Sequence, residues 1–528
     1  MNKPRRLLLP DRTPMRSSAA EELKNPTGLH SVLHRLRGRL RQSDALPVHL
    51  RAKRRSGLSD SVTPMILYKR MCPVFRGLGP SMVLISVFTC IYYNVQMAWS
   101  LIYLFDCIFY PLKGEELPFK GCTHSWNDQW CYDPEVVKHC AWQTTHVYYQ
   151  GLCQWANKTH LTPDEIADVR ERTMLMYNGS MAVSSAQEYN DYVLGYNRSY
   201  SEFTLQQWGN PQWQVVVGLA VSWLLMFLML FQGVKLSGKI VYFTATFPYV
   251  CLVVLLVIGN TRDGAADGIA FYMEPRFEEL KNIGPWIDAA GQIFFSLSVG
   301  GGGLSTLSSF NKLHTNSFRD TIIVVLGNCA TSFFAGFVIF PIIGYQAKQI
   351  YGDSMSAHDR VAKLASDGPT LAFVAYPGAL ATLPVPWLWS IIFFFMLLLL
   401  GVDSENVMVE VVVTAVLDRW PNLRRYKPYT IAVICTLFFG AGIIFATPCG
   451  IELYTLVDTF AGGWTLTIAC MFEVFMVSYL YGFRRFVADI RLMLGKPEKT
   501  VWKILGYPVN IYWLSCWLLI TPVLLFVS

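Results

Sequence analysis

From about residue 80 to the C-terminus, long apolar runs alternate with polar connections, and nine of the runs are long enough to cross a bilayer. They fall at about 81–105, 213–233, 240–259, 285–308, 320–345, 386–414, 429–447, 453–481 and 508–527. A span needs roughly 20 residues at helical rise, so the pattern predicts an all-α polytopic membrane protein with about nine transmembrane helices. The fourth run carries an internal contradiction. Trp286 to Asn311 is apolar, yet Gly300 to Gly303 stand together at its centre. Each Gly costs about 1 kcal/mol relative to Ala inside a helix, so four together predict that the helix opens there. Bare N–H and C=O groups at bilayer depth are tolerated only where they are buried in protein or line a polar cavity, and transporters build sites from such broken helices. The break is therefore expected to form half of a transport site.

The polar intervals divide the rest. Residues 1–64 are basic and rich in Pro, Ser and Arg, and predict a disordered cytoplasmic tail. Within it, His30 to Gln42 spaces Leu33, Leu36 and Leu40 helically among arginines, which leaves a surface-lying amphipathic helix as the alternative. The long loop at about 108–212 holds the chain's three N-x-S/T sequons, at Asn157, Asn178 and Asn197, beside Cys122, Cys131, Cys140 and Cys153. Sequons confined to one Cys-bearing loop predict a glycosylated extracellular face. Cys122 with Cys131 is the expected disulfide there, and Cys140 with Cys153 stays open as a second pair. The segment 357–384 is too polar to span but contains the apolar stretch Leu371 to Tyr376, either a re-entrant or capping loop or an ordinary surface helix.

Composition agrees with the pattern: 53% of residues are hydrophobic and 15% charged, against about 25% charged in soluble proteins. The net charge of +7 is concentrated at the start, where residues 1–70 hold 16 Lys/Arg against 5 Asp/Glu. Further along, Lys235 with Lys239, Arg419 to Lys427 and Arg484 to Lys503 alternate with acidic or mixed connections such as Arg262 to Lys281. The bias of basic loops predicts a cytoplasmic N-terminus. No CxxC pair, His cluster, phosphate loop or nucleic-acid motif occurs, so neither an enzyme nor a nucleic-acid partner is expected.

Polar side chains inside the spans recur at helical spacing. Gln292 and Ser296 are four apart before the glycines, Asn328 and Ser332 four apart on the next span, and Leu400, Asp403 and Ser404 share a face of the span after that. A carboxylate in mid-span is a functional hypothesis by default. Sodium, a hard cation, favours carboxylate, amide, hydroxyl and carbonyl oxygens, which Asp403, Ser404, Ser296 and Asn328 supply. A lone Ser or Asn in a span is otherwise interhelical glue, and Glu410 and Glu473 read as structural.

Several blocks go further. KLSGKIVYFTATFPYV (235–250), WIDAAGQIFFSLS (286–298), LSSFNKLHTNSFRDT (307–321), TSFFAGFVIFPIIGY (331–345), FFFMLLLLGVDS (393–404) and YGFRRFVADIRLMLG (481–495) resemble the sodium- and chloride-dependent neurotransmitter symporters of solute carrier family 6. The resemblance covers about residues 65–528 and implies a partial symporter domain with the LeuT-like inverted-repeat fold. The order of blocks sets the first span on the family's third helix and the last on its eleventh. The family's first two helices and its twelfth are then absent, and the chain is expected to be N-terminally truncated relative to that fold.

The resemblance also implies roles. Ser296 and Asn328 correspond to part of one sodium site; the Leu400 carbonyl, Asp403 and Ser404 correspond to part of a second. Gln292, Ser296, Asn328 and Ser332 correspond to chloride donors. Tyr93, Phe295, Ser298, Gly300, Gly301, Ser404 and Glu405 fall where the family lines its substrate pocket, with Asp458 and Asp418 at the outer and inner gates. Gly301 replaces a customary aromatic residue and would enlarge the pocket, while Glu405 hints at a substrate with a cationic group. The implied activity is sodium- and chloride-coupled symport of amino acids or related neurotransmitters. No organic cofactor is implied, and the setting would be the plasma membrane among lipid, with homo- or hetero-oligomers as the conceivable assemblies. The competing reading is a transport-incompetent truncated isoform or incomplete gene model that acts, if at all, by associating with full-length transporters.

Overall fold

A computed structural model describes residues 64–527 apart from 129–130, 144, 160, 178–182, 197–207, 232–233, 310–315, 353–354, 366–370 and 495–510. The basic tail with its His30 to Gln42 segment, and the sequons at Asn178 and Asn197, lie outside the described residues. Asn157 is exposed in a short turn of helix.

The helices are α1 (Pro64–Met71), α2 (Leu78–Leu112), α3 (Pro134–Ala141), α4 (Pro163–Tyr177), α5 (Ser185–Leu194), α6 (Trp213–Phe231), α7 (Val234–Asn260), α8 (Ala265–Met273), α9 (Gly284–Ser296), α10 (Gly303–Ser309), α11 (Ser317–Tyr351), α12 (Ala357–Ala365), α13 (Leu371–Ala381), α14 (Pro386–Arg419), α15 (Lys427–Gly442), α16 (Gly450–Val457), α17 (Thr465–Phe475) and α18 (Phe483–Leu494). Among the described residues, seven helical stretches are long and apolar enough to cross a membrane. The two other expected spans differ in form. Residues 285–308 are split into α9 and α10 at the glycines, and the last apolar helix, Ile511–Phe526, is shorter than the rest.

Helix α2 is the axis of the bundle: it packs along α14 more extensively than any other pair and also against α6. Tyr92, Met97, Trp99 and Tyr103 of α2 are buried against Phe393 and Phe394 of α14 and Leu219 and Trp223 of α6. Helix α15 shows why the bundle belongs in lipid. Ile431, Ile434, Cys435 and Phe438 are buried, whereas Tyr429, Val433 and Leu437, four apart, are 73%, 58% and 65% exposed. A helix apolar all round but covered on one side requires an apolar surrounding.

The outer loop folds into a small layer of its own. Strands β1 (Cys131–Tyr132) and β4 (Val183–Ser184) pair in parallel, and β2 (His146–Tyr149) and β3 (Leu152–Trp155) form an antiparallel hairpin. The hairpin turns through Gln150 and Gly151, both with positive φ (50° and 75°), the geometry of a two-residue turn that follows strand twist. Both disulfides form, Cys122–Cys131 and Cys140–Cys153, and the second pair lies in a local core with Tyr132, Val137, Tyr148 and Met176. The stretch 371–376 belongs to helix α13, whose Phe373, Tyr376 and Leu380 are buried against α5 and α14 rather than exposed as on a surface helix. Tyr103 donates to the Phe373 carbonyl at 3.0 Å, tying this cap to the axial helix.

Candidate functional site

The glycine segment opens as its composition demands. Helix α9 ends at Ser296, and Ser298, Gly300 and Gly302 then take left-handed backbone conformations, with φ of 49°, 82° and 77°, before α10 begins. Glycine enters that region freely, whereas Ser298 is held there at a cost of order 1–3 kcal/mol, a strain typical of functional sites. The opened carbonyls need partners, and one comes from the axial helix: Ser86 Oγ donates to the Gly301 carbonyl at 2.9 Å.

A cavity of about 350 Å³ lies against this break. Its walls are α2 (Ser86, Thr89, Tyr93), the broken segment (Phe295, Ser296, Ser298, Gly301), α11 (Asn328) and α14 (Ser404, Val407), closed by Gly462 and Leu466. Asn328 Nδ2 donates to Ser296 Oγ at 3.0 Å, so the two spans meet through the expected pair. On the facing helix, Ser404 Oγ donates to the Leu400 carbonyl at 3.2 Å, and Asp403 Oδ1 accepts from Thr244 Oγ1 of α7 at 2.7 Å. One oxygen-rich cluster thus sits on α9–α11, and a second at the α7–α14 contact.

A larger trough of about 470 Å³ adjoins the first, and Phe295 and Gly462 line both. It contains Gln292 with Asp288 and Asp458. Asp458 opens a π-helical turn, Asp458–Trp464, of the kind that widens helices at functional sites. Glycine at 462 keeps this contact close: a Cβ there would stand 3.1 Å from Tyr92 Oη and 3.5 Å from Asp458 Oδ1.

Three of the residues expected at the chloride and substrate positions line neither cavity. Ser332 is exposed and lines neither cavity, although it is one turn from Asn328. Gly300 is buried against α17, where a Cβ would come within 2.9 Å of the Leu466 carbonyl. Glu405 is fully buried on the far side of α14, beside Cys90 and Cys435, because one residue along a helix turns a side chain by about 100°. At the other end of α14, Asp418 pairs with Arg424 at 2.9 Å, and Glu410 pairs with Lys427 at 2.9 Å. Glu473 accepts from Tyr68 at 2.5 Å, which fastens α1 to α17.

Sequence reasoning missed Thr244, Ser86 and Thr89. Nothing local marks Thr244: Thr246, two residues on, merely bonds back to its own helix at the Tyr242 carbonyl. Ser86 and Thr89 are three apart on one face of α2 and carry the spacing signal used for Asn328 and Ser332.

The sequence profile of the sodium:neurotransmitter symporter family matches residues 57–528. The human sodium- and chloride-dependent neutral and basic amino acid transporter B(0+) is 39% identical over 89% of the chain and 69% of its own length. The Xenopus laevis sodium- and chloride-dependent glycine transporter 2 is 39% identical over 89% of the chain and 55% of its own length. The Caenorhabditis elegans sodium-dependent dopamine transporter is 34% identical over 82% and 65%. The chain belongs to the sodium:neurotransmitter symporter family.

Proposed function

We propose that this family member is a secondary symporter that couples sodium, and chloride with it, to the movement of an amino acid or related neurotransmitter. One observation carries the reading: the bonded Ser296–Asn328 pair lines a cavity shared with Ser86, Thr89, Ser298 and Ser404, directly before the backbone break at the glycines. A cation there would take the Ser296 hydroxyl and the Asn328 amide oxygen, and a second would take Asp403, Ser404 and the Leu400 carbonyl. Gln292, Ser296, Asn328 and Ser332 would contribute donors to chloride. The substrate would lie against Tyr93, Phe295, Ser298 and Gly301, with its charged ends met by opened backbone and bound ions. Gly300 would supply the backbone turn, and Glu405 would bear on the substrate only after a rearrangement of α14. Asp458 and Asp418 would serve the outer and inner gates.

Amino acids are favoured over amines. The Ser-Leu-Ser segment around Ser298 resembles the amino-acid carriers, and two of the relatives above are named for amino acids or glycine. Every relative cited is named as sodium-dependent, which favours transport over a transport-incompetent reading. The working setting is the plasma membrane, with the N-terminus cytoplasmic and the Cys-bearing loop outside. The test is uptake of a radiolabelled amino-acid panel by cells expressing the chain, with sodium replaced by choline or chloride by gluconate. Saturable uptake that falls in both replacements is expected; at confirmed surface abundance, uptake indifferent to sodium would overturn the proposal.

A further inference from the structure

The helical stretch Gly450–Leu494 has 45 residues, about 68 Å at 1.5 Å per residue. A bilayer is about 30 Å thick in its hydrocarbon core and about 40–45 Å with headgroups, so roughly 15 residues exceed it. Helix α18, with 12 residues, matches that surplus. The joint is visible: a π-helical turn, Met476–Gly482, ends on Gly482 with φ 91°, a left-handed residue that breaks the helical course.

Beyond the joint the sequence changes character. Phe483, Phe486, Val487, Ile490 and Leu494 fall on one half-buried face, and Phe486 packs on Trp517 with ring centroids 5.3 Å apart. Arg484 and Arg491 flank that face and Arg485 lies opposite it beside Leu492; all three arginines are exposed, and among the described residues none of them has an ion-pair partner. The one carboxylate of α18, Asp489, accepts a hydrogen bond from Tyr481 at 2.5 Å. An amphipathic helix with basic residues on its polar side, joined to the inner end of a span, has the features of an interfacial helix.

We propose that α18 lies on the cytoplasmic membrane surface and binds anionic lipid headgroups through Arg484, Arg485 and Arg491. Its apolar face meets the acyl boundary and Trp517, while the guanidinium groups reach phosphates, which their planar donor array suits. This is independent of what the protein transports, and its test needs no transport.

The full chain is reconstituted in nanodiscs of phosphatidylcholine alone or with phosphatidylserine, and amide exchange of residues 483–494 is followed. Phosphatidylserine should slow exchange in this segment, and raised salt should reverse the effect. An arginine near an anionic surface contributes about fivefold in binding, so each Arg→Gln change should remove about that factor of protection. Three parallel variants, Arg484→Gln, Arg485→Gln and Arg491→Gln, keep the test independent of any one folding defect. Protection indifferent to phosphatidylserine would overturn the proposal. So would equal protection in phosphatidylcholine discs on adding inorganic phosphate, which would indicate a free-anion site.

Discussion

The first three glycines of the break make unequal demands, and an alanine series separates them. At Gly300 the backbone is left-handed, and a Cβ would lie 2.9 Å from the Leu466 carbonyl and 3.1 Å from the Cys470 backbone nitrogen. Left-handed backbone costs an L-residue about 1–2 kcal/mol, and forcing a methyl against fixed backbone adds about 1–3 kcal/mol. Gly300→Ala should therefore destabilise by about 3 kcal/mol. At Gly302 the backbone is also left-handed, but the nearest atom to a Cβ is Pro64 Cγ at 3.4 Å, an ordinary contact. Only the backbone strain remains there, about 1–2 kcal/mol. At Gly301 the backbone is not left-handed and a Cβ meets nothing nearer than 3.6 Å. Loss of unfolded-state freedom should make Gly301→Ala neutral or up to about 1 kcal/mol stabilising. Unfolding of the three purified variants by graded denaturant in mild detergent reads the order directly. Equal destabilisation of Gly301→Ala and Gly300→Ala would refute the reasoning, because the two differ only in hand and in the space around Cβ.

Other predictions concern the outer layer and can be checked separately. Cys122→Ser opens the Cys122–Cys131 bridge and should destabilise the outer loop by about 2–4 kcal/mol, seen as faster amide exchange in residues 115–155 while the spans stay protected. His124 stacks on Trp126 with ring centroids 4.4 Å apart, and partial burial lowers its basicity below the usual histidine value. The unfolded loop then binds the proton more readily, so stability is full above the usual histidine range and falls as pH drops through it. Loop protection measured against pH should show this acid loss, and His124→Phe should flatten it; a profile unchanged by the substitution would contradict the assignment. Arg360 is 5% exposed and donates to Asp267 at 3.0 Å, joining α12 to α8. Asp267→Asn removes the carboxylate from a buried guanidinium and should cost about 2 kcal/mol, more than Arg360→Met, in the same denaturant assay.

What the sequence made legible was whatever a short stretch encodes by itself. The opening at Gly300 to Gly303 follows from local propensity, and the Ser296–Asn328 meeting follows from helical spacing on two neighbouring spans. The Cys122–Cys131 pair follows from the polar, sequon-bearing loop that holds both cysteines. What stayed hidden depends on how helices rotate against one another. Asp403 finds Thr244, 159 residues away, only because α7 crosses α14 at that level. Glu405, adjacent to a cavity residue, is turned into the α2–α15 contact by the helix period alone. The apolar stretch in α13 is buried because the folded outer layer presses it onto the bundle, a tertiary effect with no local signature.

The central claim is that the two oxygen-rich clusters, one beside the break and one at the α7–α14 contact, couple sodium to solute, and Asp403 in the second tests it most directly. Asparagine at 403 keeps an oxygen for the Thr244 hydroxyl and removes only the charge, so the fold should be unaffected. Sodium-dependent amino-acid uptake by the wild-type chain and Asp403→Asn, compared in proteoliposomes at equal protein content, is the measurement. Saturable uptake in the wild type that is lost in the variant, or needs far more sodium there, is the predicted result. Uptake with the same sodium dependence in both proteins would contradict the account.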